Sequence, residues 1–450
     1  MLTQGVRPNR ASDVFFKTDF FNTDFSNGAI VAISGGSDST ALLILIHDYF
    51  CARWPQAKLI AATVDHGLRA VSHDEALKVA SLCTELGIQH HILIWDGPKP
   101  QTGIPAAGRK MRYRLLAKLA RANNIGIILT GHTADDLAET VTMRRERGQS
   151  SGFNRGLAGM APFTLFESDI WIARPFLSTR RQALRALLTA RKVDWIDDPT
   201  NEDHTYERPR VRSRLDEQQV LSAIQMAVQA ANRRRDLDMR TASLIAHHAL
   251  QPAPGLFHLE RALLFAPDRE AVLHALRLLL ATIGGLSHLP DPGRVQSLLE
   301  GLAQGTMRRA TLARTLIDAR RSGIFLLREL RDLPRPLTTD GSFQDGQIWD
   351  GRYRIRFSNH DTHAAALATE SKSIFPHLPD RLVQAALGTQ PAQFFPGKNV
   401  AALPLIAPFA GFLPDFDLHS AGVLAKLVGA KPFPALPRLF SALKNHIGRP

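Results

Sequence analysis

Cysteine is almost missing from this chain: Cys51 and Cys83 are the only two in 450 residues. A disulfide framework and a four-cysteine zinc site are thereby excluded, and so sparse a thiol content suits a reducing compartment. Cys83 falls on the helical stripe Ala76, Val79, Ala80, Cys83, Leu86 and is expected to be a small buried side chain. Long apolar runs are missing too. The longest, Ala41 to Ile46, is far short of the roughly 18 to 20 residues that span a bilayer. The N-terminal stretch to Phe21 is broken by polar and acidic residues before a secretory core could form. The expectation is a soluble, cytoplasmic protein without a membrane partner. No internal repeat stands out, and no GxxxxGK followed by Ser or Thr occurs, which argues against γ-phosphate transfer in a Walker-type loop.

What is present is a large, basic, ordinarily apolar chain. Apolar residues make up 44% of it, enough for packed cores, and its length predicts two or three domains. The formal charge of +13 favours a large anionic partner such as nucleic acid.

From Ala29 onward, short β-branched runs alternate with helical patterns, the mark of βαβ units and a parallel sheet covered on both faces. The expected strands are 29–33, 59–64, 90–95 and 126–130. The helix after the second strand opens with Ser72 and Glu75 at capping-box spacing and closes at Gly87. Three polar loops follow strands: SGGSDST, DHGLR and GHTADD. In an open parallel sheet ligands bind beyond the carboxyl ends of the strands, so these loops should meet at one crevice. From Leu215 to about Leu333 the chain reads as mostly helical, with Leu263, Leu264, Ala271, Leu273, Leu276, Leu279 and Leu280 as its apolar stripe. LPRPL (333–337) reads as a linker, and the alternating WDGRYRIRF (349–357) opens a small mixed part. The predicted organisation is an α/β catalytic domain over 1–215, a helical domain over 216–335 and a small α+β domain over 336–450.

The loop Ser34, Gly35, Gly36, Ser37, Asp38, Ser39 sits at a strand-to-helix turn. Its glycines permit positive φ and close backbone approach, and successive amides at the helix start make an anion cradle. The plainer reading is a glycine-rich βα turn whose Asp38 and Ser39 satisfy helix amides. Without a lysine, the loop can hold the β and γ phosphates as a leaving group, which implies attack at the α-phosphate. In GHTADDLAET, Thr133 is a helix cap, while Asp135 and Asp136 favour the positive end of the helix dipole by roughly 0.3 to 1 kcal/mol each. Beside a triphosphate, a carboxylate can also hold Mg²⁺, and the two roles are compatible. Arg109 and Arg112, three apart, share a helix face away from the stripe of Met111, Leu115 and Ala122. Solvated arginines and phosphate-binding arginines both fit that placement. His66 and His132 lack a third ligand at metal spacing, so zinc is not expected.

SGGSDS matches the SGGxDS signature of the PP-loop ATP pyrophosphatases. The ordered series SGGSDS, VDHGLR, GRKMRYRLL, GHTADDLAET, GLAGM, RPFL, IDDPTN and YERPRVR, running from Ile33 to Arg214, resembles the tRNA(Ile)-lysidine synthetases. Residues 147–156 are looser than the family's RGSG-like stretch. The resemblance implies a Rossmann-like PP-loop domain that uses ATP and Mg²⁺ to join L-lysine to the wobble cytidine of an isoleucine tRNA with the anticodon CAU. The cytosine would first be adenylated with loss of pyrophosphate, and AMP then displaced by the ε-amine, changing decoding from AUG to AUA. The nucleotide would be held by Ser34 to Ser39 and the metal by Asp38 and Asp136. Arg112, His132 and Arg208 complete the expected catalytic set, and Arg212, Arg233, Arg234 and Arg235 are expected to meet RNA. Three rival readings stand beside it: tRNA thiolation, which usually needs cysteine pairs or a cluster; a small-molecule synthetase of the amidotransferase kind, which would leave the basic arginine loops and the C-terminal domains without a role; and a non-catalytic RNA-binding protein, against which the intact Ser34 to Ser39 loop and GHTADD argue.

Overall fold

A computed structural model describes residues 23–65, 72–97, 99–100, 102–148, 155–197, 203, 205–334, 346–357, 371–391 and 400–437. His66 to Arg69, residues 149–154, Asp198 to Asn201 and the Ser72 side chain, all singled out from sequence, lie outside them. The chain divides into two compact units, Met1–Arg234 with Pro434–Pro450, and Arg235–Phe433.

In the first unit the elements follow in the order β1 (Ala29–Ala32), α1 (Ser37–Arg53), β2 (Leu59–Asp65), α2 (Ser72–Glu85), β3 (Gln89–Ile94), α3 (Ile104–Ala122), β4 (Ile127–Thr130), α4 (Ala134–Glu146), β5 (Phe163–Phe166), β6 (Ile170–Ala173), α5 (Arg181–Ala190) and α6 (Glu207–Arg214). Within this unit the strands lie in the order β5-β6-β4-β1-β2-β3. All neighbouring pairs are parallel except β5 with β6. The four expected strands are therefore present. The Val, Ile and Ala runs of β1, β2 and β4 are largely buried, as strands covered on both faces require, whereas β3 at the end of the sheet is half-buried and leaves Ile94 exposed. In α1 the run Leu42 to Ile46 is buried all round the helix, the pattern of a core helix rather than a surface one. Strand β1 lies between β2 and β4, so the strand order reverses beside it and opens a crevice at the carboxyl ends.

Helix α7 (Glu217–His248) begins in the first unit and ends in the second. Its Val220, Ala223 and Ala227 pack on Leu137, Ala138 and Val141 of α4. That packing moves the unit boundary from the expected 215 to Arg234.

In the second unit, the stretch read as mostly helical also carries five strands: β7 (Ala249–Ala253), β8 (Leu256–Leu259), β9 (Arg309–Leu312), β10 (Thr315–Arg320) and β11 (Gly323–Arg328). They form one antiparallel sheet in the order β7-β8-β11-β10-β9. Helices α8 (Arg269–Gly284) and α9 (Pro292–Gln304) have aspartate N-caps, Asp268 accepting from the Ala271 amide at 3.1 Å and Asp291 from the Arg294 amide at 2.9 Å. The alternating stretch 349–357 lies in a hairpin, β12 (Ile348–Trp349) and β13 (Tyr353–Phe357), which turns where Asp350 and Gly351 take φ of 52° and 72°. Strand β14 (Val400–Pro404) pairs with β13.

No unit boundary falls at 335. Leu333 packs with Trp349 and Ile355. The buried Asp350 carboxylate accepts from Arg314, from Arg328 Nε at 3.1 Å and from Arg352 Nε at 2.6 Å. Among the described residues, no helix is long and apolar enough to cross a membrane.

Candidate active site

The turn from β1 into α1 is built by its own side chains. Ser39 Oγ donates to the Gly36 carbonyl at 3.0 Å and accepts the Ser34 amide at 3.2 Å, while Thr40 Oγ1 donates to the Gly35 carbonyl at 3.2 Å. Gly35 has φ +83°, and a Cβ there would stand 2.6 Å from Ile196 Cδ1. The Ile196 amide donates to the Gly35 carbonyl at 2.9 Å, so the backbone just before Asp197 leans on the loop. Gly36, the N-cap of α1, offers no side chain to the first-turn amides. Those amides are the natural anion donors.

Helix α4 carries the capping box expected from Thr133, with Asp136 as its reciprocal partner. Asp136 Oδ2 accepts the Thr133 amide at 2.8 Å and the Thr133 hydroxyl at 2.9 Å. Its other oxygen, Oδ1, accepts from Arg181 at 3.1 Å and Arg208 at 3.0 Å. One carboxylate thus caps its helix and still presents an oxygen to the crevice. The loop before it runs close to α1: a Cβ on Gly131 would lie 2.9 Å from the carbonyl carbon and oxygen of Asp38. Only glycine lets the two main chains meet there.

Arginines converge on these acids from downstream. Arg181 Nε donates to Asp38 Oδ2 at 2.8 Å, and its NH1 lies 3.7 Å from Glu139 Oε1. Glu139, one helical turn beyond Asp136 and buried, also accepts from Arg208 Nε and Arg212 Nε, each at 2.7 Å. Helix α5 starts with two arginines, an adverse composition at the positive end of a helix dipole. Asp135 offsets it, accepting Arg180 Nε at 3.0 Å and the Arg181 backbone amide at 2.7 Å. Arg185, a turn further on, contacts Ser37 Oγ at 3.3 Å and Asp197 at 2.9 Å, and its guanidinium lies 5.7 Å from the Trp195 ring centre.

Of these groups, the loop residues Ser34 and Gly36 to Ser39, with Asp136, Arg181, Arg185, Asp197, Arg208 and Arg212, line a cavity of about 580 Å³ together with Arg112, Tyr113, Thr130, Gly131 and His132. Its volume is in the range of small-molecule sites. Five arginines face three aspartates across it, a balance suited to a polyanionic ligand. Burial holds the Asp38 carboxyl above the usual carboxylate range, against the pull of Arg181. Burial pushes Asp136 the same way, but Arg181, Arg208 and the Thr133 amide outweigh it and keep that carboxyl below its ordinary value.

Burial, with Arg174 nearby, pushes His132 down to about 3, so the imidazole is neutral at physiological pH. Its Nδ1 lies 2.9 Å from Thr130 Oγ1, whose own proton is directed to the Ala173 carbonyl at 3.3 Å. This pairing assigns the ring proton to Nδ1 and leaves Nε2 as an acceptor.

Of the residues singled out from sequence, Ser34, Gly36, Ser37, Asp38, Ser39, Arg112, His132, Asp136, Arg208 and Arg212 all line the cavity. Gly35 supports the loop from behind through its carbonyl. Arg109 instead has its guanidinium 5.3 Å from the Tyr113 ring centre. The cluster Arg233, Arg234, Arg235 does not form one surface, since consecutive helical residues point about 100° apart. Arg233 is exposed, Arg234 donates to the Arg155 carbonyl at 3.3 Å, and Arg235 donates to Asp415 at 2.9 Å with its guanidinium 4.8 Å from the Phe416 ring centre. Arg181, Arg185 and Glu139 were not anticipated. The available signal was the doubled arginine at the start of α5, which is unfavourable unless carboxylates face it. Cys83 is buried, and burial pushes its thiol up to about 11; Cys51 is exposed, and both thiols are free.

A parallel sheet, a glycine loop at the end of β1 and an acidic helix start beside it define a PP-loop nucleotide-binding domain, and the family model described as PP-loop domain matches residues 13–219. Similarity to known proteins extends well past that region. A tRNA(Ile)-lysidine synthase of Mesorhizobium japonicum is 46% identical over 441 residues, covering 93% of this chain and 96% of that protein. Those of Rhizobium meliloti and Brucella anthropi are 36% and 40% identical, covering 91% and 78% of this chain and 93% and 78% of theirs. The chain belongs to the tRNA(Ile)-lysidine synthase family.

Proposed function

We propose that this enzyme joins free L-lysine to the wobble cytidine of an isoleucine tRNA whose anticodon is CAU, using ATP, in the cytoplasm. The observation that carries the reading is the convergence of the Ser34 to Ser39 loop, Asp38, Asp136 and five arginines on one cavity beyond β1 and β4. Cytosine O2 attacks the α-phosphorus and pyrophosphate departs. The lysine ε-amine then attacks carbon 2, and AMP leaves with the former O2. Charge accumulates on the departing pyrophosphate in the first step, where the α1 amides, Arg181 and Arg185 are placed to receive it. Arg112 and Arg208, on other walls, suit the α-phosphate and the activated base. His132 Nε2 can accept a proton-bearing group of nucleotide or substrate.

The donor set fits Mg²⁺. Asp38 Oδ2 and Asp136 Oδ1 are close enough to share one cationic group, Arg181, and hard carboxylate oxygens are what this ion takes. Asp38 and Asp136 would hold it, and when bound it would neutralise phosphate charge. Thiolation lacks support among the side chains, since Cys83 is buried as a thiol and stands in no pair. The exposed Arg233 remains the proposed phosphate contact of α7. Mass spectrometry of isoleucine tRNA incubated with the enzyme, ATP and L-lysine tests the reading. A lysine adduct at the wobble cytidine is expected; unmodified tRNA with a folded enzyme overturns it.

A further inference from the structure

Arg181 occupies an unusual place. Its side chain is 19% exposed, and each guanidinium nitrogen addresses a different carboxylate: Nε to Asp38, NH2 to Asp136 and NH1 toward Glu139. Glu139 has Arg208 and Arg212 as well, and Asp136 has Arg208. Asp38 has Arg181 as its ion-pair partner in the cavity. Asp136 Oδ2 is committed to Thr133 and Asp38 Oδ1 accepts from Ser37 Oγ at 3.3 Å, so Asp38 Oδ2 and Asp136 Oδ1, both bound by Arg181, are the oxygens left to meet another cation. A magnesium ion would approach such oxygens to about 2.0 to 2.1 Å. It would then stand within a few ångströms of a guanidinium that already neutralises them, and the two cations would repel one another in a poorly solvated site.

The anchoring of Arg181 permits an exchange. Its backbone amide is fixed by Asp135 at 2.7 Å, while its long side chain can swing about that point. The neighbouring Arg185 already reaches Ser37 of the loop at 3.3 Å, so the helix face carrying Arg181 borders the phosphate cradle.

We propose that Arg181 is a resident counter-ion that holds Asp38 and Asp136 in the empty enzyme and passes to the pyrophosphate moiety when nucleotide and divalent cation enter together. This inference rests on the reading of the cavity as a nucleotide and metal site. It makes Arg181 a positioning residue before loading and a substrate contact after it. Free cation should bind weakly alone, because it must displace the guanidinium, and much better with phosphate present to receive it.

The test uses the full-length protein, with Mn²⁺ as the metal probe followed by electron paramagnetic resonance, and inorganic pyrophosphate as the anion probe followed by calorimetry. Arg181→Gln should bind Mn²⁺ alone about tenfold more tightly than the parent and Mn²⁺-pyrophosphate about tenfold more weakly. Opposite signs for the two probes are not what simple structural damage produces. Circular dichroism establishes that the variant is folded. Should Arg181→Gln not fold, Arg181→Lys retains the charge without the fork, and should shift both affinities in the same directions by less. Unchanged or weaker Mn²⁺ binding in a folded variant overturns the inference while leaving the nucleotide site standing. A parent enzyme that binds neither probe overturns both.

Discussion

Asp135 Oδ2 accepts the backbone amide of Arg181 at 2.7 Å, so an acid on α4 supplies the cap that α5 lacks. The neighbouring Asp136 meanwhile binds the Arg181 side chain. Adjacent carboxylates therefore position one arginine, one through its main chain and the other through its guanidinium. Asp135→Ala should lower stability by about 1 to 2 kcal/mol, as loss of a helix cap does, and should also reduce product formation although Asp135 does not line the cavity. Thermal denaturation and tRNA lysine incorporation, measured on the same preparation, check both halves. A stability loss with unchanged turnover would show that α5 keeps Arg181 in place by packing alone.

Asp38→Asn should leave the fold intact and reduce lysine incorporation at least about a hundredfold, since the carboxylate charge that holds Arg181 and the proposed cation beside the phosphates is removed. The Asp38 carboxyl is raised by burial, so protons should compete with a divalent cation for it from above the ordinary carboxylate range. Cation binding should therefore weaken as pH drops through that raised value, because the protonated acid no longer attracts the ion. Near-normal turnover by folded Asp38→Asn would remove this residue from the mechanism.

His132 offers a cleaner titration. Its folded value of about 3 lies well below the 6.5 of a free imidazole, so between those values the unfolded chain binds the extra proton. Stability must therefore rise with pH across that window and fall as the solution is acidified below about 6.5. His132→Gln should flatten part of this dependence while keeping an acceptor in the cavity. Denaturant titrations of both proteins from pH 4.5 to about 7.5 measure the difference, and identical slopes would mean that the ring is protonated in the native enzyme.

Catalytic and RNA-gripping arginines should separate kinetically. Arg208, bound to Asp136 and Glu139, should depress turnover when changed to alanine even at saturating tRNA, as expected for an interaction made in the transition state. Arg233→Ala should instead weaken tRNA binding and reduce its logarithmic salt slope by about one, with saturated turnover preserved. Arg235→Ala should mainly destabilise the second unit through Asp415 and Phe416. An Arg233→Ala enzyme with unaltered salt dependence would mark that arginine as merely solvated.

The parts of this molecule legible in sequence were those with strong local signals. Strands β1 to β4 are short apolar runs set between helical patterns, and the loops after β1 and β4 begin with residues suited to a particular backbone task. Strands β5 and β6 escaped because the turn between them, Glu167 and Ser168 at φ of 48° and 73°, has none of the Asn-Gly or Asp-Gly character such turns favour. The same holds for Ala313 and Arg314, at 54° and 61°, between β9 and β10. There the ion pair from Arg314 to Asp350 supplies support that the local sequence does not. In the site, residues carried by contiguous motifs were identifiable. Arg181 was harder to see because its meaning depends on acids that precede it by more than forty positions in the chain.

The close approach at Gly131 has a mechanical consequence. Because this loop touches the Asp38 main chain without an intervening side chain, the spacing of the two halves of the cavity floor does not depend on rotamer choice. The floor therefore acts as a fixed jaw, and adaptation to successive ligands falls to the long arginines around it. On the proposed reaction the cavity receives a nucleotide, then a nucleotide joined to a base, then an amine beside that base, and it can keep one gauge throughout while its flexible fingers change grip. Gly131→Ala would force that jaw open, and the disturbance would reach every ligand the cavity receives.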